Sequence, residues 1–546
     1  MRPRLAQFIL RTPLRCAAAT GTKGRAYAIF TTLAVISVLL ACGLALTRRP
    51  WCDEGWFACA AFNLDRHGRL AITILDPHGF PFAPYVEGIH RFTFWVLPGY
   101  LLALAGWNKI FGFSLFAMRS LSILWSVVAL GSWYVIVERL GRGNTLALLT
   151  VALIGIDHNF AVSAATGRMD MMCAALGFLA MALYLHFRER NFAVAVWSSN
   201  IAAAAAALTH ANGALAFLSL VVLACCLDRG RLSPKWIIAA AVPYLVFGGA
   251  YFLYVSQDTW VFLSQLRAQT RIPHRFVLSW NPVTQISTEI AGRYDATFGL
   301  HASFPGSLQA FPFYSFLAAA VLLAAAGELR RDRSVWILGI LTFSAFYLVS
   351  ALQSSWYYLI FVTPFFSAVV AFALRWLWRR GAAFRWAVAA YALAAPAIQV
   401  AATIPRILNN PIEHRYNPAM RFVQAHRCKN DSVMGSGEIG FWFGFGDPKL
   451  DDDSRLGFFS HRRPEYIILD SQYRDYWFAW FAAVEPATYE YIRKLLINDY
   501  RLVYDQFRDS TPSRGFYDLP YQVYRRVDDA PGGSSPPVSA PTASKP

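Results

Sequence analysis

The chain has 546 residues, of which 56% are hydrophobic, 16% aromatic and only 15% charged, with a formal net charge of +17. A soluble protein of this length carries about a quarter charged residues; here the apolar residues come in blocks of about 20, enough to cross a bilayer core as helix. Much of the positive surplus lies in short loops between those blocks, where it acts as a topology signal, and no nucleic-acid motif accompanies it, so nucleic acid is not an expected partner.

The first apolar run, Tyr27 to Leu46, follows Arg2, Arg4, Arg11, Arg15, Lys23 and Arg25. Positive charge stays inside, which puts the N-terminus in the cytoplasm. Leu39-Leu40-Ala41-Cys42 brushes a lipoprotein cleavage pattern, but Leu40 fits it poorly and the run is long for a signal sequence. An uncleaved anchor is the expectation.

Next comes Trp51-Cys52-Asp53-Glu54-Gly55-Trp56-Phe57-Ala58, in an outer stretch from Arg48 to Arg91 that is broken by Pro77, Pro81 and Pro84. Thr93 to Phe113 is apolar but contains Pro98, Gly99, Asn108 and Lys109, and reads as a helix lying in the outer interface. Further crossings are predicted at Met118–Val137, Leu146–Val162, Met169–His186, Ala193–Leu208, Gly213–Leu227, Trp236–Val255, Phe311–Ala326, Val335–Leu352, Tyr357–Leu374 and Trp386–Ile404. The Arg-rich loops at Arg139/Arg142, Arg188/Arg190, Arg229/Arg231, Arg330/Arg331 and Arg379/Arg380 then all fall on the N-terminal side. That regularity predicts about eleven crossings, N-in and C-out.

A loop at 256–307, with Arg267, Arg271, His274, Arg275, Arg293 and Asp295, falls outside, as does everything after Pro405. Residues 405–528 read as a small α/β domain. Its helices are predicted at Asn417–Cys428 and Ala487–Asn498, and its strands at Ser432–Gly435, Tyr466–Asp470, Arg501–Asp505 and Tyr521–Arg526. Asp451-Asp452-Asp453 reads as a solvated loop, since three adjacent carboxylates cannot face one point. The tail 529–546, rich in Pro, Ser and Ala, reads as disordered. The eight cysteines give no disulfide framework or zinc spacing.

Ionisable residues in the apolar part collect at outer helix ends: Asp53 and Glu54, Asp157 and His158, Arg168 and Asp170, then His210. Simple structural roles exist for each. Asp53 and Glu54 can pair with Arg48, Arg49 or Arg66; Arg168 and Asp170 can pair with each other; His210 can cap a helix; Tyr357 and Tyr358 can be belt aromatics. A transport pathway would instead place charge near the bilayer midplane. Clustering at one interface points to chemistry on something presented there.

The segment Asp53-Glu54-Gly55-Trp56-Phe57-Ala58 resembles the Asp-Glu motif of the GT-C membrane glycosyltransferases, in the branch of the protein O-mannosyltransferases and the lipid A aminoarabinose transferase. His90-Arg91-Phe92-Thr93-Phe94-Trp95, Phe116-Ala117-Met118-Arg119-Ser120-Leu121-Ser122, Gly167-Arg168-Met169-Asp170-Met171 and Trp356-Tyr357-Tyr358-Leu359 resemble further elements of that branch, in order. The sequence departs from it in lacking a Pro-Pro pair after His90, in carrying Arg91 where Lys is frequent, and in carrying Gly55 where Ala or a polar residue is common.

The resemblance implies a polytopic α-helical GT-C-like membrane protein. Its parts would be a cytoplasmic segment at 1–26, a catalytic membrane domain at 27–404 with outer loops at 48–117 and 256–307, and a periplasmic α/β domain at 405–528. It also implies inverting transfer of a sugar from a polyprenyl-phosphate donor to a hydroxyl of an envelope lipid, glycan or protein, at the bacterial inner membrane. In that chemistry Asp53 is the base, and Glu54 positions it or binds the acceptor. Arg91, Arg168, Tyr357 and Tyr358 bind the donor phosphate, and Asp170, His210 and Arg293 support them. No cofactor is required, although a divalent metal assists some relatives. The competing reading is a transporter or flippase of lipid-linked sugars; a third is a non-catalytic scaffold.

Overall fold

The computed structural model describes residues 22–76, 86–141, 143–271, 281, 283–284, 287, 290, 308, 310–352, 356–507 and 520–527. Arg293, most of the 256–307 loop and the 529–546 tail lie outside the described residues.

In chain order the helices are α1 (Thr22–Thr47), α2 (Cys52–His67), α3 (Pro98–Phe111), α4 (Leu115–Gly141), α5 (Asn144–Gly155), α6 (His158–Ala164), α7 (Met169–Phe187) and α8 (Phe192–Thr209). They continue with α9 (Ala214–Leu227), α10 (Pro234–Val255), α11 (Thr259–Arg271), α12 (Phe311–Ala325), α13 (Arg333–Leu352), α14 (Thr363–Trp378) and α15 (Ala382–Asn409). Among the described residues α1, α4, α7, α8, α10 and α15 are long and apolar enough to cross a membrane, and the bent pair α5–α6 adds a seventh if it is one span. Helices α9, α12, α13 and α14 are apolar but shorter.

The apolar side chains of α10 face outward: Ile237, Leu245 and Phe252 are 62%, 72% and 70% exposed. Such a surface is unfavourable in water by about 25 cal/mol per Å² and carries no penalty against hydrocarbon. The chain is a multi-pass membrane protein. Helix α7, by contrast, is 72% buried over its apolar stretch, packed against α4 and α8. The fully buried ring of Trp133 meets Phe178 and Phe365 edge-on, at 5.3 and 4.8 Å between centroids, and ties α4, α7 and α14 together. The N-terminus of α7, which carries Arg168 and Asp170, is therefore held by the best-packed part of the bundle.

Several expectations are corrected. The span expected at Leu146–Val162 breaks with a 69° bend between α5 and α6. Asp157 and His158 thus lie at the bend between two helices instead of at the close of a straight one: Asp157 caps α6 by accepting from Phe160 N, and the His158 amide donates to Gln399. The span expected from Tyr357 begins at Thr363, with Pro364 in the first turn of α14, and the two tyrosines sit in a preceding 3₁₀ segment, Trp356–Phe361. Helix α15 continues through Pro405 to Asn409.

Beyond it lie α16 (Asn417–His426) and five strands: β1 (Val433–Gly435), β2 (Leu450–Asp451), β3 (Tyr466–Asp470), β4 (Tyr500–Asp505) and β5 (Tyr521–Arg526). Helices α17 (Phe478–Val484) and α18 (Pro486–Asn498) precede β4. The sheet order is β2-β1-β3-β5-β4, with β1 parallel to β2 and β3, and β5 antiparallel to β3 and β4. Strand β3 is buried at every position, as a central strand of aliphatic residues should be. Strand β2 has two residues, too few for a sequence period to reveal it.

The Asp451–Asp453 run is not a solvated loop. All three residues are buried, and each carboxylate faces a different partner. Asp451 pairs with Arg462, Asp452 takes bonds from Trp56 and Tyr473, and Asp453 accepts from the amides of Arg455 and Gly457.

Candidate active site

The segment between α1 and α2 is held from below by Arg119 of α4. Arg119 is wholly buried and uses all five N–H donors. Two go to Glu54 (2.8 and 2.7 Å), and three to the carbonyls of Ala45 (2.7 Å), Arg48 (2.7 Å) and Arg49 (3.0 Å). A buried cation needs such complete pairing. It also caps carbonyls that the end of α1 leaves without helical partners.

Glu54 is equally saturated: besides Arg119 it accepts from the amides of Gly167 (2.7 Å) and Trp51 (3.0 Å). Burial alone would raise its carboxyl, yet Arg119 and these bonds hold it below the usual carboxylate range. Fully enclosed, Glu54 anchors α2 and offers no lone pair to an acceptor.

Asp53 turns the other way and stays 17% exposed at its side chain. It forms a salt bridge with Nη1 of Arg168, whose Nε donates to Asp170 at 2.8 Å. Three ring faces surround the Arg168 guanidinium: Tyr357 at 3.8 Å, Trp51 at 5.1 Å and Phe57 at 5.7 Å. Such cation–π contacts fix a guanidinium without neutralising it. Tyr358 packs on Tyr357 at 4.4 Å and on the His210 ring at 5.3 Å. His210 itself accepts the Asn212 amide through Nδ1, which caps a short turn.

The structure thus brings together Asp53, Arg168, Asp170, Tyr357, Tyr358 and His210. Arg91 stands apart: it pairs with Asp258 at 3.2 Å, and its described contacts do not include this cluster. The salt bridges of the couplet run to Arg119 and Arg168, while the charge of Arg48 helps to hold Glu54 low, in part as the simple structural reading has it. Arg48 donates to Thr166 at 2.5 Å, while Arg49 reaches the sheet.

The sheet side was not legible. Arg49 bonds Asp470 (2.8 Å) and Tyr521 (2.7 Å) and lies 3.4 Å from Glu438. Burial, with Asp470 beside it, pushes Glu438 up from its ordinary value. Trp51 Nε1 donates to Gln472 (2.9 Å), and Trp56 Nε1 to Asp452 (2.6 Å). These partners stand 389 to 472 positions away in sequence, with no local pattern to announce them. Arg119 did carry a signal, since a cation in the first turn of an apolar helix demands a partner.

Among the described residues no group of three or more His, Cys, Asp or Glu side chains is placed to hold a metal ion, and Asp53 and Asp170 both turn to Arg168. The chemistry on offer is a reachable carboxylate beside an aromatic-walled guanidinium at the end of a rigid helix.

No protein-family model and no curated protein matches the sequence. Solved structures do. ArnT from Cupriavidus metallidurans bound to undecaprenyl phosphate aligns with a TM-score of 0.56 at 15% identity, over 92% of this chain and 99% of that one. The Archaeoglobus fulgidus oligosaccharyltransferase in complex with zinc and sulfate aligns with a TM-score of 0.52 at 12% identity, over 91% of this chain and 88% of that one. A second structure of that enzyme, tethered to an acceptor peptide, gives 0.52 at 14% identity, over 86% of this chain and 72% of that one. Both proteins are GT-C glycosyltransferases, and the fold of this chain is the GT-C fold.

Proposed function

We propose, from the GT-C fold this chain adopts, that it is an inverting glycosyltransferase taking its sugar from a polyprenyl-phosphate donor. The acceptor is a hydroxyl of a cell-envelope lipid, glycan or protein. The reaction runs on the periplasmic face of a bacterial inner membrane, with about eleven crossings and the N-terminus in the cytoplasm.

Asp53 takes the proton of the acceptor hydroxyl, whose oxygen attacks the anomeric carbon from the face opposite the phosphate. The bond from that carbon to the phosphate oxygen breaks, and the lipid phosphate leaves with its electron pair. Arg168, already gripped by Asp170 through Nε, directs its remaining donors at the phosphate, as suits a planar guanidinium. The Tyr357 and Tyr358 hydroxyls add neutral donors, and His210 supports Tyr358. No step is routed through a metal.

The observation that carries this reading is the partly exposed Asp53 opposite Arg168, inside a ring of aromatic faces on a GT-C scaffold. The test is transfer of radiolabel from a panel of polyprenyl-phosphate sugars to envelope extract by purified protein. Wild type should move label and Asp53→Asn should not, with both folded. Full activity in Asp53→Asn would remove the base from the mechanism. An undiminished rate of lipid-linked sugar translocation without any new glycosidic bond would replace the whole reading with the flippase.

A further inference from the structure

Gln472 opens the turn after β3 and reaches from the sheet to the segment that carries Asp53. Its Oε1 accepts from the Trp51 indole Nε1 at 2.9 Å, and the Cys52 Sγ lies 3.8 Å from the same oxygen. Both contacts lead on to Asp53. The Trp51 ring lies against the Arg168 guanidinium at 5.1 Å, and Arg168 is salt-bridged to Asp53. The Cys52 Sγ is also 3.6 Å from Asp53 Oδ1. Burial pushes the Cys52 thiol well up, so it stays protonated, with one S–H that the two oxygens share by competition.

The turn that presents Gln472 is itself fixed. Asp470 binds Arg49 through Oδ2 (2.8 Å) and the Tyr473 amide through Oδ1 (2.9 Å). Gln472 then begins a π-helical turn, Gln472–Trp477, a wide geometry frequent at functional sites. An amide oxygen suits the position. It accepts from the indole without placing a second charge beside Asp53.

We propose that Gln472 is a positioning residue for Asp53. By fixing the edge of Trp51, which backs the Arg168 guanidinium that grips Asp53, it sets the orientation of the Asp53 carboxylate, which makes the sheet part of the active site. This rests on the reading of Asp53 as the base of a glycosyl transfer.

The test uses full-length wild type, Gln472→Met, Gln472→Glu, Trp51→Phe and the Trp51→Phe/Gln472→Met double variant. All enter the transfer assay with envelope extract as acceptor source, with Asp53→Asn as reference. Gln472→Met should lose about ten-fold in turnover or more, while the half-saturating donor concentration changes less than about two-fold. The double variant should be no worse than the weaker single, because both remove one bond. Gln472→Glu still accepts from the indole, so it should recover most of the turnover at alkaline pH. Its added carboxylate should move the acid limb of the rate profile upward, a shift that a purely structural role would not produce.

Wild-type turnover in Gln472→Met, multiplicative losses in the double variant, or an unmoved acid limb in Gln472→Glu would each overturn the inference. If Gln472→Met does not fold, the Trp51→Phe and Gln472→Glu arms still decide it. Transfer by wild type, lost in Asp53→Asn but retained in Gln472→Met, overturns this inference alone. No transfer by wild type from any donor overturns the glycosyltransferase reading and takes the inference with it.

Discussion

Asp53 and Glu54 are chain neighbours with opposite surroundings, and their variants should separate function from fold. Asp53 is partly exposed, and its partner Arg168 keeps a second carboxylate in Asp170. Asp53→Asn should therefore remove transfer and lower the melting temperature less than loss of Glu54, since the buried Arg168 keeps the Asp170 counter-charge. Glu54 is enclosed by Arg119 and two amide donors. Glu54→Gln puts N–H groups against N–H groups and leaves a buried guanidinium without its counter-charge. Breaking such a pair is destabilising by about 3–5 kcal/mol. Thermal unfolding in detergent should show a large fall for Glu54→Gln and a clearly smaller one for Asp53→Asn. Equal melting temperatures would mean that Glu54 is not the anchor its contacts describe.

At the level of elements, the N-terminal turn of α2 meets the 3₁₀ turn after β1, Gly437–Ile439, backbone against backbone at Gly55. A Cβ on Gly55 would lie 2.2 Å from the carbonyl of Gly437 and 2.6 Å from Glu438 N, all backbone that cannot swing aside. This is the physical reason for the glycine that breaks the resemblance at that position. Gly55→Ala gains about 1 kcal/mol of helix propensity but forces α2 off the turn after β1, an overpacking typically unfavourable by about 1–3 kcal/mol. It should lower both the melting temperature and transfer, because Asp53 lies two residues away. Gly106→Ala in α3 is the control, since a Cβ there meets nothing within 4 Å and should leave the melting temperature unchanged or higher.

The same contact marks where sequence reading stops. Apolar runs and β-branched strands have local periods, so α1, α4, α7, β3 and β5 were expected close to where they stand. Asp53 and Arg168 stood out as charges at apolar helix ends. At the break between α5 and α6 the His158 amide is met by Gln399, and the buried Asp452 is met by Trp56. Partners hundreds of positions apart leave no local pattern.

Across the whole molecule, the junction between helices and sheet is closed by carboxylates that burial makes reluctant to ionise. Asp452, between Trp56 of α2 and Tyr473 of the turn after β3, is pushed up to about 7 by burial, although its hydrogen bonds from Tyr473 and Trp56 pull it back. Glu438 is shifted in the same direction. In an unfolded chain an Asp titrates near about 4. Below that pH the carboxyl is protonated in both states and adds no penalty. Between about 4 and 7 the unfolded chain has given up the proton while the folded one still holds it, so folding stability declines as pH rises. Above about 7 both states are ionised, and the decline from this group ends. Glu54, held low by Arg119, works in the opposite sense at the acid end, so the wild-type curve alone mixes the two. The difference between wild type and Asp452→Asn isolates the junction. The asparagine can accept from Trp56 and donate to the Tyr473 hydroxyl, keeping the contacts without the ionisation. Melting temperatures of the two proteins should therefore draw apart as pH rises from about 4 to 7, wild type falling relative to the variant, and run parallel above that. Curves parallel across the whole range would mean that Asp452 titrates as an ordinary carboxylate, and that the sheet is seated on α2 by packing without a buried, proton-linked contact.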